Sequence, residues 1–98
     1  MIEHLASRGE HDQFDPITAV ALAKLREESG KLMEAADLYR HLAEGRDVRN
    51  HFVYNLEAAR LLGLAGAKKN LVETYFHRAE ELAEGGDQMA LLTQIRQA

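Results

Sequence analysis

Apolar positions recur along the chain at helical spacing, with polar residues filling the gaps. Ile17, Val20, Ala21, Lys24 and Leu25 outline a first predicted helix over roughly residues 16 to 29. Asp15 before Pro16 marks its start, because an aspartate N-cap and a proline at the first helical position both suit the unpaired amide groups there. Phe14 stands just before the cap, where a hydrophobic staple would place it. Ala35, Leu38, Tyr39 and Leu42 fall at i, i+3, i+4 and i+7, predicting a second helix that runs to about Glu44. Asp47 is positioned to cap a third, roughly 48 to 64. Its apolar residues go most of the way round, from Val48 and Phe52 to Leu62 and Leu64, so it should be central and covered on several sides. Asn70 with Glu73 reads as a capping box for a fourth helix, whose apolar face is Val72, Tyr75, Phe76, Ala79, Leu82 and Ala83. Asp87 caps a last one carrying Leu91, Leu92 and Ile95. No segment alternates at period two over a useful length, so the expected fold is all-α. Residues 1 to 13 read as a flexible approach, with at most one loose helical turn around Ile2 and Leu5.

Glycines punctuate this pattern. Gly30, Gly45, Gly66 and Gly85 each follow a helical stretch and can end it in the left-handed conformation. They also expose an internal similarity. Ala23-Lys24-Leu25 before Gly30 matches Ala59-Arg60-Leu61 before Gly66, at an offset of 36. Leu42-Ala43-Glu44-Gly45-Arg46-Asp47 matches Leu82-Ala83-Glu84-Gly85-Gly86-Asp87, at an offset of 40, which places four extra residues between Gly66 and Val72. Four residues is about one helical turn, so the packing faces can stay aligned.

Two helices joined by a short glycine turn, then a capped restart, make an αα-hairpin. The pattern resembles the tetratricopeptide repeat family, which places a small residue on the first helix, a glycine near the turn, and small and aromatic residues on the second. Leu22, Ala23, Gly30, Ala35, Tyr39 and Leu42 fit in the first unit, and Ala59, Gly66, Val72, Phe76 and Ala79 in the second. A small residue on one helix lets the ring of its partner pack close. The sequence departs from the family with Ala19 at the early tryptophan position, Arg26 at a common tyrosine and Asp47 at the inter-repeat proline. The resemblance covers about residues 16 to 86. It implies antiparallel hairpins in a single domain: residues 16–45, residues 47–85 and a capping helix at 87–98. Tyr39 and Phe76 would be core residues of equivalent second helices. The last helix either caps the second hairpin with a polar outer face or is half of a hairpin completed by a second chain.

Composition narrows the function. Apolar residues make up 46% of the 98, so a small globular core is affordable. Sixteen acidic residues against twelve basic ones give a net charge of -4, which argues against nucleic acid as the partner. Lys68-Lys69 is the only basic doublet, and Lys31, Arg46 and Arg49 are interleaved with Glu44 and Asp47. Cysteine is absent, which excludes disulfides, thiolate metal sites and a catalytic thiol. No apolar run of about 18 residues is present to span a membrane, and Met1-Ile2-Glu3-His4 does not open a signal peptide, so a cytoplasmic protein is expected.

Five histidines raise a metal site. His41 with Glu44 and His77 with Glu80 are i, i+3 pairs, but they sit beside Arg40 and Arg78 on solvent-facing stretches, and no His-Glu-x-x-His is present. Ser7, Ser29, Thr18, Thr74 and Thr93 lack a partnered histidine, and Gly63 to Gly66 with Lys68 lacks the phosphate-loop spacing. The expectation is therefore no cofactor, no metal and no enzymatic activity. The candidate chemistry is a groove. In the family the first helices of successive hairpins line a concave face, and the 36-residue offset pairs Ile17 with Val53, Val20 with Leu56 and Lys24 with Arg60. Two cations one unit apart would grip a carboxylate on a peptide. The expected function is a non-catalytic interaction module for a protein or peptide partner, the alternatives being a homo-oligomeric structural protein or a small nucleic-acid-binding regulator.

Overall fold

The structure, a computed structural model, describes residues 15–97. The staple position of Phe14, the loose turn at Ile2 and Leu5, and His4 and His11 lie outside the described residues. Five α-helices follow in order: α1 Pro16–Glu28, α2 Leu32–Ala43, α3 His51–Leu64, α4 Lys69–Leu82 and α5 Gly85–Gln97, with a 3-10 turn, Val48–Asn50, leading into α3. Each helix packs on the one before it, and no strand occurs among the described residues. The fold is all-α, an arrangement of antiparallel helical hairpins.

The first start signal holds. Asp15 caps α1, its Oδ1 accepting from the Ile17 amide at 3.3 Å, with Pro16 in the first turn. The hairpin turns also hold, and they recur. At Gly30 the Lys31 amide donates to Arg26 O at 2.8 Å and the Gly30 amide to Glu27 O at 3.0 Å. At Gly66 the Ala67 amide donates to Leu62 O at 3.0 Å and the Gly66 amide to Gly63 O at 3.2 Å. Both are Schellman closures, and each glycine has φ +81°, which an L side chain rarely adopts.

Beyond the turns several expectations change. The four-residue insertion is not one block. One residue separates Gly30 from α2 and two separate Gly66 from α4, and α4 has 14 residues against 12 in α2. The six-residue match is one of sequence only. Leu42 is buried inside α2 whereas Leu82 is the exposed last residue of α4, and Gly85, with φ +82°, opens α5, while Gly45 does not have a positive φ. The burial of the two second helices aligns at 37 residues instead: Leu38 with Tyr75, Tyr39 with Phe76, Leu42 with Ala79, all buried.

Three caps differ too. The chain enters α4 at Lys69 from Lys68, which makes no side-chain cap, and Glu73 pairs with Arg96 of α5 rather than closing a box with Asn70. Asp47 does not bond a helix amide, because its carboxylate is taken by the Tyr54 hydroxyl at 2.6 Å and Asn50 Nδ2 at 2.9 Å. α5 begins two residues before Asp87, where the Glu84 amide donates to Gln88 Oε1 at 2.6 Å.

The core runs through every interhelix seam. Ala19 and Ala23 of α1, Ala35 and Ala36 of α2, and Ala58 and Ala59 of α3 let the helices approach closely, and Tyr39, Tyr54, Tyr75 and Phe76 fill the space between. α3 is the central element, buried on several sides, as its sequence implies. One polar group is enclosed there: Asn55 Nδ2 donates to His51 O at 2.7 Å, while its Oδ1 is buried without a partner. α5 packs more lightly, on α4 and the edge of α3. It buries Leu92 and partly Ile95, while Leu91 faces out and Arg96 lies 5.5 Å above the Phe76 ring.

Candidate functional site

The exposed positions of α1 and α3 repeat the same spacing. Ile17, Ala21, Lys24 and Glu28 are exposed on α1, and Val53, Glu57, Arg60 and Leu64 are exposed or half-buried on α3, each set at i, i+4, i+7 and i+11. Of the six residues expected to line a groove, four therefore lie on this outer face. Ile17 is 80% exposed and Val53 42%, Lys24 is exposed, and Arg60 is half-buried. The other two pack inward. Leu56 is 2% exposed and Val20 is half-buried against the core, so this pair belongs to the seam and is not available to a partner.

Arg60 ties the two helices together. Its Nη1 and Nη2 donate to Glu27 Oε2 and Oε1 at 3.0 Å each, a bidentate pair from α3 to α1. Nη2 also donates to Glu57 Oε1 at 2.7 Å and Nε to Glu57 Oε2 at 3.2 Å. A guanidinium has five N–H donors, and four are committed here. The expected grip of Lys24 and Arg60 on a foreign carboxylate is corrected accordingly: a ligand would have to displace Glu27 or Glu57, both already in charge-assisted bonds. Lys24 forms no salt bridge among the described residues.

The cluster shapes the electrostatics around it. The Arg60 hydrogen bond, ahead of the opposing effect of burial, holds the Glu27 carboxyl below its usual value. Burial, then the charge of Glu57, pushes the Tyr39 hydroxyl up to about 12. The Tyr54 hydroxyl also rises to about 12, first through burial and then through its bond to Asp47, and that bond is the main reason Asp47 titrates lower than usual. Sequence reasoning missed Glu27 and Glu57. Glu57 was within reach, three residues before Arg60 on one helix. Glu27 was not, since its meeting with Arg60 depends on how α1 lies against α3.

Stability should fall on both sides of neutrality. Glu27 and Asp47 have folded-state values below their ordinary 4.5 and 3.8, so their contribution is present above those values and lost as the pH falls through them. Tyr39 and Tyr54 have values raised from 10 to about 12, so their contribution is present below pH 10 and lost on the way to 12. Denaturation midpoints across a pH series check this. A midpoint at about pH 3 equal to that at about pH 6 would show that the carboxylate bonds contribute nothing.

A second polar cluster joins α2 to α4. Arg40 Nε donates to the hydroxyl of buried Tyr75 at 3.1 Å, and the Arg40 and Arg78 guanidinium carbons lie 5.5 and 5.0 Å from that ring. Asp37 pairs with Arg40 at 3.1 Å and Glu44 with Arg78 at 3.8 Å, so each cation here is matched by a carboxylate. His77 lies between Glu80 and Glu81 at 3.5 and 3.6 Å, with all three side chains open to solvent. Among the described residues no group of three or more His, Asp and Glu side chains could hold a metal ion. Nor, among the described residues, is any helix long and apolar enough to cross a membrane.

The fold thus defines a class, the all-α helical hairpin proteins, and within it a face where exposed apolar side chains flank a closed ion cluster. No family model, curated protein or solved structure matches the chain.

Proposed function

We propose that the chain is a non-catalytic interaction module of tetratricopeptide-like design, an adaptor or scaffold that receives a peptide or protein partner along the α1–α3 face. The observation that carries this reading is the row of exposed apolar side chains, Ile17, Val53 and Leu64, on a surface stiffened by the Glu27–Arg60–Glu57 cluster. These three side chains fall on the i, i+4, i+7, i+11 rows of α1 and α3, where a partner could cover them together with the cluster between them. The 36-residue recurrence of the hairpin turns supports the family likeness. Because Arg60 is already engaged, the partner is expected to offer apolar side chains to Ile17, Val53 and Leu64 rather than a carboxylate to Arg60.

Affinity capture from source cells with the full chain, run beside a Val53→Asp, Leu64→Asp variant, tests this. Both positions are exposed, so the fold is expected to survive, as circular dichroism would verify. The reading requires at least one protein retained by the parent chain and lost, by about tenfold or more, with the variant; a charge buried in an apolar contact costs at least that much. An identical set of captured proteins from both chains would refute it.

A further inference from the structure

A cleft of about 310 Å³ opens where α2 meets α4, lined by Asp37, Arg40, His41 and Glu44 of α2 and by Tyr75 of α4. Its chemistry differs from that of the α1–α3 face, where Arg60 spends four of its five N–H groups on carboxylates. Arg40 spends two, one on the Tyr75 hydroxyl and one on Asp37, and keeps three. Arg78 makes no hydrogen bond among the described residues, since Glu44 Oε2 lies 3.8 Å from its Nη1, a charge contact beyond hydrogen-bond length. Both guanidiniums are nevertheless held in place. Tyr75 is 4% exposed, and the two cations rest on its ring at 5.5 and 5.0 Å. Side chains ordered in advance lose less freedom when a ligand arrives. The carboxylates that balance them are held more loosely. The Asp37 and Glu44 side chains are 53% and 68% exposed, and exposed pairs of this kind contribute little. Glu44 is also the C-cap of α2, where the helix dipole disfavours a negative charge.

We propose that this cleft binds a dianionic phosphate group, free or carried as a monoester, with Arg40 and Arg78 as its two forks and Glu44 as the group it displaces. The three open N–H groups of Arg40 and the five of Arg78 are more than one carboxylate can accept. A phosphate brings three terminal oxygens and close to two negative charges, which serve both guanidiniums at once. Planar forks suit such an oxyanion better than point charges do. The volume leaves room for a group that carries the phosphate. Displacing Glu44 returns an exposed carboxylate to water and breaks no hydrogen bond to Arg78. The cleft shares no residue with the α1–α3 face, so this inference does not depend on the partner reading of that face.

Titration of the full chain at constant ionic strength, followed residue by residue by NMR, tests it, with O-phosphoserine, inorganic phosphate and acetate as probes. Both phosphate probes are expected to saturate and to shift the amides of residues 37–44 and 75–78, with acetate binding at least about tenfold more weakly. Tighter binding of O-phosphoserine would assign the cleft to a carried phosphate, and equal binding to the free ion. Arg78→Gln, at a side chain 46% exposed, is expected to keep the fold and weaken binding by about tenfold or more. Glu44→Gln should strengthen it by up to about fivefold, because the competing charge is gone, a gain that a merely structural role would not produce. Lack of saturation by either phosphate up to about 10 mM overturns the proposal. So does saturation that Arg78→Gln leaves unchanged, which would put the anion elsewhere. Acetate binding as tight as phosphate, or weaker phosphate binding in Glu44→Gln, overturns it as well.

Discussion

Phe76→Ala is expected to lower the unfolding free energy by about 3–5 kcal/mol, and Tyr39→Ala by a similar amount. Both rings are buried at corresponding places on α4 and α2, in a core cluster rich in alanine. Phe76 also supports the guanidinium of Arg96, so its loss loosens the attachment of α5. A chain this small has total stability of about 5–15 kcal/mol, so either change removes a large share of it. Chemical denaturation would report a lower midpoint at unchanged slope. A loss below about 1 kcal/mol for both would mean that these rings are not core residues.

The second large effect is expected at Arg60. Arg60→Met keeps the aliphatic stem but leaves Glu27 and Glu57 half-buried without their shared cation, at a cost of about 2–3 kcal/mol. The Glu27 carboxyl, now held low by Arg60, should rise into or above the ordinary carboxylate range. Arg60→Lys should recover only part of the loss, since one ammonium cannot reproduce a fork that bonds two carboxylates. Adding Glu27→Gln and Glu57→Gln to Arg60→Met should restore most of the stability. If the triple variant is no better than Arg60→Met alone, the cluster is not the reason for the loss.

How much of this was legible beforehand follows from the range of each interaction. The start of α1 and the turns at Gly30 and Gly66 depend on residues within six positions of one another, and the sequence reading located all three. The caps assigned to Asn70, Asp47 and Asp87 were equally local in form but lost to partners from elsewhere: Arg96 for Glu73, Tyr54 for Asp47, and a helix start at Gly85. At the face, the 36-residue offset put Ile17, Lys24, Val53 and Arg60 on one groove. It could not separate them from Val20 and Leu56, because an apolar residue beside a groove and one beneath it look alike in a linear pattern. The charge of Arg60 was visible, but its engagement by Glu27, 33 residues away, was not.

The order of packing has a kinetic consequence. Each helix meets chiefly its neighbours in the chain, so no distant ends must find each other before contacts begin to form. Topologies of this kind fold on the microsecond-to-millisecond scale, because little loop-closure entropy opposes the first contacts. The same linearity works in reverse. α5 holds on by Leu92, part of Ile95 and Arg96, so it can detach while the hairpins closed at Gly30 and Gly66 stay folded. Loss of structure would then begin at the carboxyl end and travel inward one helix at a time, rather than sweep the whole chain at once.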